Sequence, residues 1–301
     1  MRMECAIIGG GPAGLSAALV LGRARRKVVL FDDKQPRNAV TAHTHGFLTR
    51  DGVKPEELRR LARQDIRKYP SVELESRRVT GIMPIRGGFR LQADDGKVYE
   101  ARKLLLATGL KERLPDLRGL QGMYGKSLFS CPYCDGWELR DKPLVVIADG
   151  DQAFTLSRLI YQWSRDLVVC TNGSASRLAP EELRLLHRKG IPVVNQRITE
   201  LAGEKGQLRT VRFADGSSVK RAGGFVSPYW RHATQFAEQL GCRLSASGGI
   251  ETDSLGRTSV SGVYAAGDAS VISPAQAAIA AGEGSRAAIG INTDLVREDF
   301  G

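Results

Sequence analysis

Cysteine is scarce in this chain: five residues among 301. That small, odd number excludes a secreted disulfide scaffold. Histidine is scarcer still, with four residues, and only His43 and His45 fall close together. Cys170 and Cys242 stand isolated. A tetrahedral zinc site built on Cys131 and Cys134 would need a second ligand pair, and the sequence supplies none. No run of eighteen apolar residues occurs, so no membrane span is expected. The chain opens directly on a strand-like run, Cys5-Ala6-Ile7-Ile8, with no leader before it. The expected location is therefore cytoplasmic.

Acidic residues are outnumbered, 33 against 44 Lys and Arg, for a net charge of +11. Such a surface attracts acidic partners. Aromatic and basic residues do not interleave, and no nucleic-acid module is recognisable, so nucleic acid is not expected as a partner. An acidic protein fits better, and a plain solvated Arg-rich face is the alternative. With 42% apolar residues, the length supports one large domain or two of ordinary size.

What is present begins at the N-terminus. After the first strand comes Gly9-Gly10-Gly11-Pro12-Ala13-Gly14, then a small-apolar helical run from Leu15 to Leu21. Lys27-Val28-Val29-Leu30-Phe31 reads as a second strand that ends at Asp32-Asp33. Strand, G-x-G-x-x-G, helix, strand and acid together make a dinucleotide-binding pattern. Gly9 allows the tight turn, Gly11 lets the backbone approach a pyrophosphate, and Gly14 lets the helix pack on the strand. The helix start offers free N–H groups to the phosphates. Asp32 is placed to accept hydrogen bonds from a ribose diol, with Asp33 pointing elsewhere.

The far end repeats the logic. Gly262-Val263-Tyr264-Ala265-Ala266-Gly267-Asp268 reads as a short strand ending in Gly-Asp, before an Ala-rich helix from Pro274 to Gly284. An acid there can bind ribityl hydroxyls, and a helix start can stabilise charge on a reduced flavin. An ordinary capped strand–turn–helix is the plainer alternative. In the middle, Lys103 to Leu106 is a buried strand leaving through Ala107-Thr108-Gly109. The pair Cys131-Pro132-Tyr133-Cys134, close to a helix start, suits redox exchange better than a structural staple, because so short a loop gains little stability from closure.

With these pieces in view, the chain resembles the low-molecular-weight thioredoxin reductase family of flavoproteins, class II of the pyridine nucleotide-disulfide oxidoreductases. GGGPAGLSAAL, ATG at 107–109, CPYCDG at 131–136 and GVYAAGDAS at 262–270 carry the likeness in order and spacing. The resemblance implies an α/β fold of two Rossmann-like, three-layer ββα dinucleotide-binding domains, the second inserted in the first. The expected bounds are 1–113 and 239–301 for the FAD domain and 114–238 for the insert. It implies FAD held by Gly9, Gly11, Pro12, Ala13, Gly14, Asp32, Asn38, His45, Ala107, Thr108, Gly109, Gly267, Asp268, Gln276 and Ala277. It implies a homodimer, and a redox disulfide in which Cys134 faces the flavin, Cys131 exchanges with substrate, and Asp135 moves the proton. The expected substrate is thioredoxin, a similar protein disulfide or a small dithiol.

The insert departs from the family. After the strand Pro143–Ile147, the turn Ala148-Asp149-Gly150-Asp151-Gln152-Ala153 lacks the first glycine and carries acids where a pyrophosphate would sit. The next strand, Asp166–Cys170, ends in Thr171-Asn172-Gly173, without the arginine cluster that grips a 2′-phosphate; Arg177 comes only later. NADPH is therefore not the expected donor, although an NADPH-dependent reductase stays an alternative. A ferredoxin, typically acidic, or a second flavin is the expected replacement. The reverse direction, a dithiol oxidase passing electrons to oxygen, uses the same parts. A redox-silent basic binding module is the alternative of another class.

The remainder reads as scaffold. Pro55 to Ile66 is an amphipathic helix opened by proline. Residues 88–101 and 208–220 alternate and turn at Asp-Gly, as β-hairpins do. Trp137, Trp163 and Trp230 are expected in the core or an interface, and His187 and His232 on the surface without partners. The last residues read as a tail, whose Phe300 either frays or stacks on the flavin.

Overall fold

The computed structural model describes residues 2–174 and 177–301; nothing is described for the side chain of Asp151. Met3–Ile8 (β1), Pro12–Arg23 (α1) and Val28–Phe31 (β2) form the first strand–helix–strand unit. A 3-10 turn at Arg37–Val40 precedes the helix Pro55–Ile66 (α2). The strands Val72–Glu75 (β3), Val79–Ile85 (β4), Gly88–Ala93 (β5) and Val98–Leu106 (β6) come next. Leu110–Arg113 (β7) leads out. The helix turn Leu120–Met123 (α3), the strand Leu128–Phe129 (β8) and the helix turn Pro132–Asp135 (α4) follow. Leu144–Ile147 (β9), Gly150–Ile160 (α5), Leu167–Cys170 (β10), Pro180–Arg188 (α6) and Val193–Val194 (β11) alternate as α/β units do. Then come Ile198–Glu204 (β12), Gln207–Phe213 (β13), Ser218–Lys220 (β14) and Gly223–Val226 (β15). Tyr229–His232 (β16) returns the chain to Phe236–Gln239 (α7), Val263–Ala265 (β17) and Ala277–Phe300 (α8).

The chain divides into two compact units: 1–39, 46–111 and 230–301 make one, and 40–45 with 112–229 make the other. In the first, β3, β2, β1, β6 and β17 are parallel neighbours. The strand β6 joins the parallel and antiparallel parts of one seven-stranded sheet. Its second half pairs with β1 and β17, while its first half joins the antiparallel meander β4–β5–β6. Helices α1 and α8 pack on one face of the parallel sheet, around Ile7, Leu21, Leu105, Ala287 and Ile291. The second unit holds a five-stranded parallel sheet, β11-β10-β9-β15-β8, and an antiparallel β12-β13-β14 ribbon. Both parallel sheets are nearly continuous in Val, Leu and Ile because both of their faces are covered.

The two-domain α/β expectation describes this architecture, but details differ. The sequence places the crossings at 113/114 and 238/239; they fall instead at 111/112 and 229/230. The reason is burial: Phe236, Ala237 and Cys242 pack beneath the first unit's parallel sheet. The six residues 40–45 belong to the second unit, a detour with no sequence signal. No tail exists either, because α8 is helical through Phe300. At 1.5 Å per residue, Phe300 lies about 35 Å along that helix from Ala277, so it does not reach the start of its own α8, where the flavin was expected. His232 has a partner, its Nε2 lying 2.7 Å from the Gly248 carbonyl oxygen. Trp137 is 65% exposed and so is outside the core.

Candidate functional site

The first unit builds a cradle at the carboxyl end of β1, where the strand order reverses and ligands of such sheets bind. Gly9 has φ +119, and a Cβ there would lie 2.1 Å from the Ala107 carbonyl oxygen. A Cβ on Gly14 would lie 1.9 Å from the Gly9 carbonyl oxygen. These two glycines let α1, β1 and the exit of β6 converge. Gly11 meets nothing within 4 Å, so its bare backbone borders open space. Pro12 stands in the first turn of α1, and no side chain caps that turn. The N–H groups of the α1 start are thus free of side-chain caps, as an anion site requires.

Asp32 ends β2, buried beneath Gly10, where a Cβ would come 2.1 Å from its Cγ. Its Oδ1 accepts the Lys34 N–H at 2.8 Å, and Oδ2 takes the Arg63 guanidinium. A carboxylate has about four acceptor positions, so the ribose role is compatible with both bonds. Asp33 is exposed and accepts from Gln35 N–H, which agrees with its pointing elsewhere. Asn38 lies half-buried on the 3-10 turn.

Asp268 follows Gly267, whose φ is +72 and whose Cβ would press on Ala13 at 2.8 Å. Arg37 Nη2 donates to Asp268 Oδ2 at 2.9 Å, and the same guanidinium lies 5.2 Å from the Trp230 ring. Glu283 accepts from Gly267 N–H at 2.9 Å and from the Ser270 hydroxyl. Gln276 is the N-cap of α8 and Ala277 its first residue, again without a side-chain cap. Thr108 and Gly109 leave β6 half-buried, and Gly109 accepts from Ala233 N–H. Two uncapped helix starts, an open glycine backbone and two strand-end acids fit a flavin dinucleotide. Sequence reasoning missed Gly10, Arg37, Arg63 and Glu283; only Gly10 carried a signal, being a glycine in the motif itself.

The second unit carries the sulfur chemistry. Cys131 and Cys134 are disulfide-bonded, with Cα atoms 5.3 Å apart. Cys131 is the N-cap of α4, Pro132 opens that turn, and the Cys131 carbonyl accepts the N–H groups of Cys134 and Asp135. Gly136 permits a close approach: a Cβ there would meet the Trp163 indole at 2.9 Å. Trp163 in turn packs edge-on to Tyr133, with centroids 5.5 Å apart. Asp135 ends the turn. Burial pushes its carboxyl up from 3.8 to about 7, Glu138 adds to the rise, and His45 opposes it. His45 belongs to the second unit, its Nε2 3.6 Å from Glu138 Oε1.

At the carboxyl end of β9, buried Ala148 stands where the motif wants glycine. Asp149 occupies the N-cap position of α5 without a side-chain capping bond, and pairs with Arg177 at 3.1 Å. The Arg177 Cβ lies 3.1 Å from where a Gly150 Cβ would sit. Arg177 thus bends back over the turn, while at the end of β10 the Arg197 Cγ lies 3.8 Å from where a Gly173 Cβ would sit. The Asn172 side chain is also committed, accepting from Ile198 N–H at 2.8 Å. The charge of Asp151 falls on a side chain outside the described residues.

Comparison with known proteins sets this geometry in context. The family profile for pyridine nucleotide-disulphide oxidoreductases matches residues 3–284. Thioredoxin reductase aclD of Aspergillus oryzae is 32% identical, over 98% of this chain and 97% of its own. Among solved structures, TrxB from Bacillus anthracis is 45% identical with a TM-score of 0.94, covering 99% of this chain and 100% of that one. An oxidoreductase from Agrobacterium tumefaciens is 35% identical with a TM-score of 0.92, covering 98% and 99%.

Proposed function

Because the chain belongs to the pyridine nucleotide-disulphide oxidoreductase family, as a thioredoxin reductase-like, FAD-dependent disulfide oxidoreductase, we propose that it reduces a thioredoxin-type protein disulfide with electrons from a donor other than NADPH. The observation that carries the reading is the Cys131–Cys134 disulfide sharing one helix turn with an acid held near neutrality, Asp135. FAD, when bound, supplies two-electron transfer between the donor and that disulfide.

The chain's own residues do the rest. Gly9, Gly11, Pro12, Ala13 and Gly14 seat the pyrophosphate on the α1 start, and Asp32 takes the ribose. Asp268 takes the ribityl hydroxyls. Gln276 and Ala277, at the α8 start, would stabilise negative charge on the flavin, and Asn38, His45, Ala107, Thr108 and Gly109 would help to hold it. In the second unit, Cys134 receives electrons and Cys131 meets the substrate disulfide. Asp135, protonated about half the time near pH 7, holds a proton for the departing sulfur and takes one back from the next thiol.

The donor reading rests on the insert. Ala148 removes a glycine, and the Asp149–Arg177 pair occupies the turn that would take a pyrophosphate. An acidic iron–sulfur protein of the ferredoxin kind suits the +11 surface as donor, and a second flavin in the insert is the other source. No helix of the described residues is long and apolar enough to cross a membrane. The enzyme is proposed as a cytoplasmic homodimer.

Anaerobic titration of the purified yellow protein tests the reading. NADPH is expected to leave the visible flavin band intact, and dithionite or a dithiol to bleach it. Rapid bleaching by NADPH overturns the donor proposal. A colourless protein that cannot be loaded with FAD overturns the enzyme reading altogether, in favour of a binding module.

A further inference from the structure

The first unit holds a second hollow, away from the cradle. It encloses about 290 Å³ beside the entry of β17 and the last turns of α8. The cradle lies at the other ends of these strands, where β1, β6 and β17 finish. No residue that lines the hollow belongs to the cradle or to the sulfur centre.

The lining is charged, and its charges do not balance. Lys103, Arg257 and Arg297 face Asp294 and Glu298, which leaves one positive charge in excess. Both oxygens of each acid are already engaged. Asp294 accepts from Arg257 and from the Tyr264 hydroxyl, and Glu298 accepts from Lys103 and Arg102. Arg257 gives a further N–H to Asp253, so its fork is largely committed. The donors left over are elsewhere. The Lys103 side chain is only 8% exposed, and its ammonium has three donors but one partner among the described residues, Glu298. Arg297 is exposed and has no ion-pair or hydrogen-bond partner among the described residues, and the same holds for the Ser261 hydroxyl. Val260 and Val263 add a short apolar wall. The hollow thus offers unspent donors around a space at the small end of the range for ligand pockets.

We propose that this hollow binds a small organic anion, a carboxylate or phosphate ester of a few carbons, through Arg297, Lys103 and Ser261. The spare donors take the anionic oxygens in charge-assisted hydrogen bonds. Val260 and Val263 take the carbon chain. The volume excludes a dinucleotide, and a bare inorganic ion leaves the apolar wall uncovered. Glu298 is the internal competitor. Its side chain, 46% exposed, holds the Lys103 ammonium that the ligand would also use. Removing that carboxylate therefore improves the site, whereas removing a donor weakens it. The site is independent of the disulfide chemistry.

The test is calorimetric titration of the FAD-loaded protein at fixed ionic strength with glycerol 3-phosphate, butyrate and inorganic phosphate. Each organic anion is expected to bind once per chain, about fivefold more tightly than inorganic phosphate. Arg297→Gln is expected to weaken binding of the organic anions about tenfold, and Ser261→Ala about threefold. Glu298→Gln is expected to tighten it about threefold. Arg67→Gln removes an exposed cation elsewhere on the same unit and is expected to change nothing. The replaced side chains are exposed, and melting curves of the variants are expected to stay close to wild type. Failure of both organic anions to bind more tightly than about 10 mM overturns the proposal. A loss in Arg67→Gln equal to that in Arg297→Gln also overturns it, because the effect would then be attraction to the basic surface as a whole. Weaker binding in Glu298→Gln overturns it too, since the glutamate would then be part of the site and not its competitor.

Discussion

A carboxyl group held near pH 7 sets chemistry against stability. Asp135 ionises near 4 in an unfolded chain and near 7 in the fold. The fold therefore favours its protonated form. Stability is lost as pH rises from about 4, and the loss levels off above about 7, where it reaches roughly 4 kcal/mol. Asp135→Asn removes the penalty. The variant is expected to melt higher than wild type above pH 7 and with little difference near pH 4, while turnover falls about a hundredfold or more. Melting curves across pH check the first part; equal gains at both ends of the range would refute it. At this scale, legibility in the sequence followed locality. Gly9, Gly11 and Gly14 could be read because a glycine's freedom is local and its motif is contiguous. Arg37 could not, because its partner Asp268 lies 231 residues away. Separation in sequence likewise hid Arg63 behind Asp32 and Glu138 behind His45.

Among the elements, the tightest approach that matters for the cradle is that of α1 and α8. Gly284 lies so close to α1 that a Cβ on it would sit 1.9 Å from the Ala13 carbonyl oxygen. Gly284→Ala is therefore expected to push the two helices apart and cost about 1–3 kcal/mol. Because both helix starts border the flavin cradle, the variant should also lose FAD on purification. The ratio of flavin to protein absorbance, beside a melting curve, checks both effects; a fully loaded variant would show that the helix spacing does not set the cradle. The start of α8 was legible from its Ala-rich run, and α2 was legible end to end from Pro55 and its polar and apolar faces. The end of α8 was not. Its last turns hold by long-range pairs rather than by their own pattern. Arg257 grips Asp294 through two N–H groups at 2.7 and 2.8 Å, and Arg26 and Arg102 both reach Asp299. The Arg257 guanidinium, with the Tyr264 hydroxyl, holds Asp294 down at about 2, so the Arg257–Asp294 pairing persists through ordinary acid.

Over the whole molecule, the +11 charge is a statement about encounter rates rather than about the fold. Exchange with an acidic protein disulfide is expected to slow about tenfold between low and high salt, whereas exchange with a small uncharged disulfide should hardly change. Stopped-flow rates against ionic strength decide it, and equal slopes for the two substrates would remove electrostatic steering from the account. The architecture was legible because two strand–turn–helix units and a hairpin-bearing crossover each leave a periodic signature. The division of the chain was less so. Phe236 and Ala237 look like any short apolar pair until the sheet above them is known, and six residues that join the other unit leave no mark in composition. That last detail bears on how such a protein can be taken apart or built. The insert is not a cassette: residues 112–229 expressed alone would carry the disulfide but not His45, and during synthesis residues 40–45 leave the ribosome long before the surface that receives them. Swapping inserts between relatives would give hybrids whose sulfur centre comes from one parent and whose histidine comes from the other.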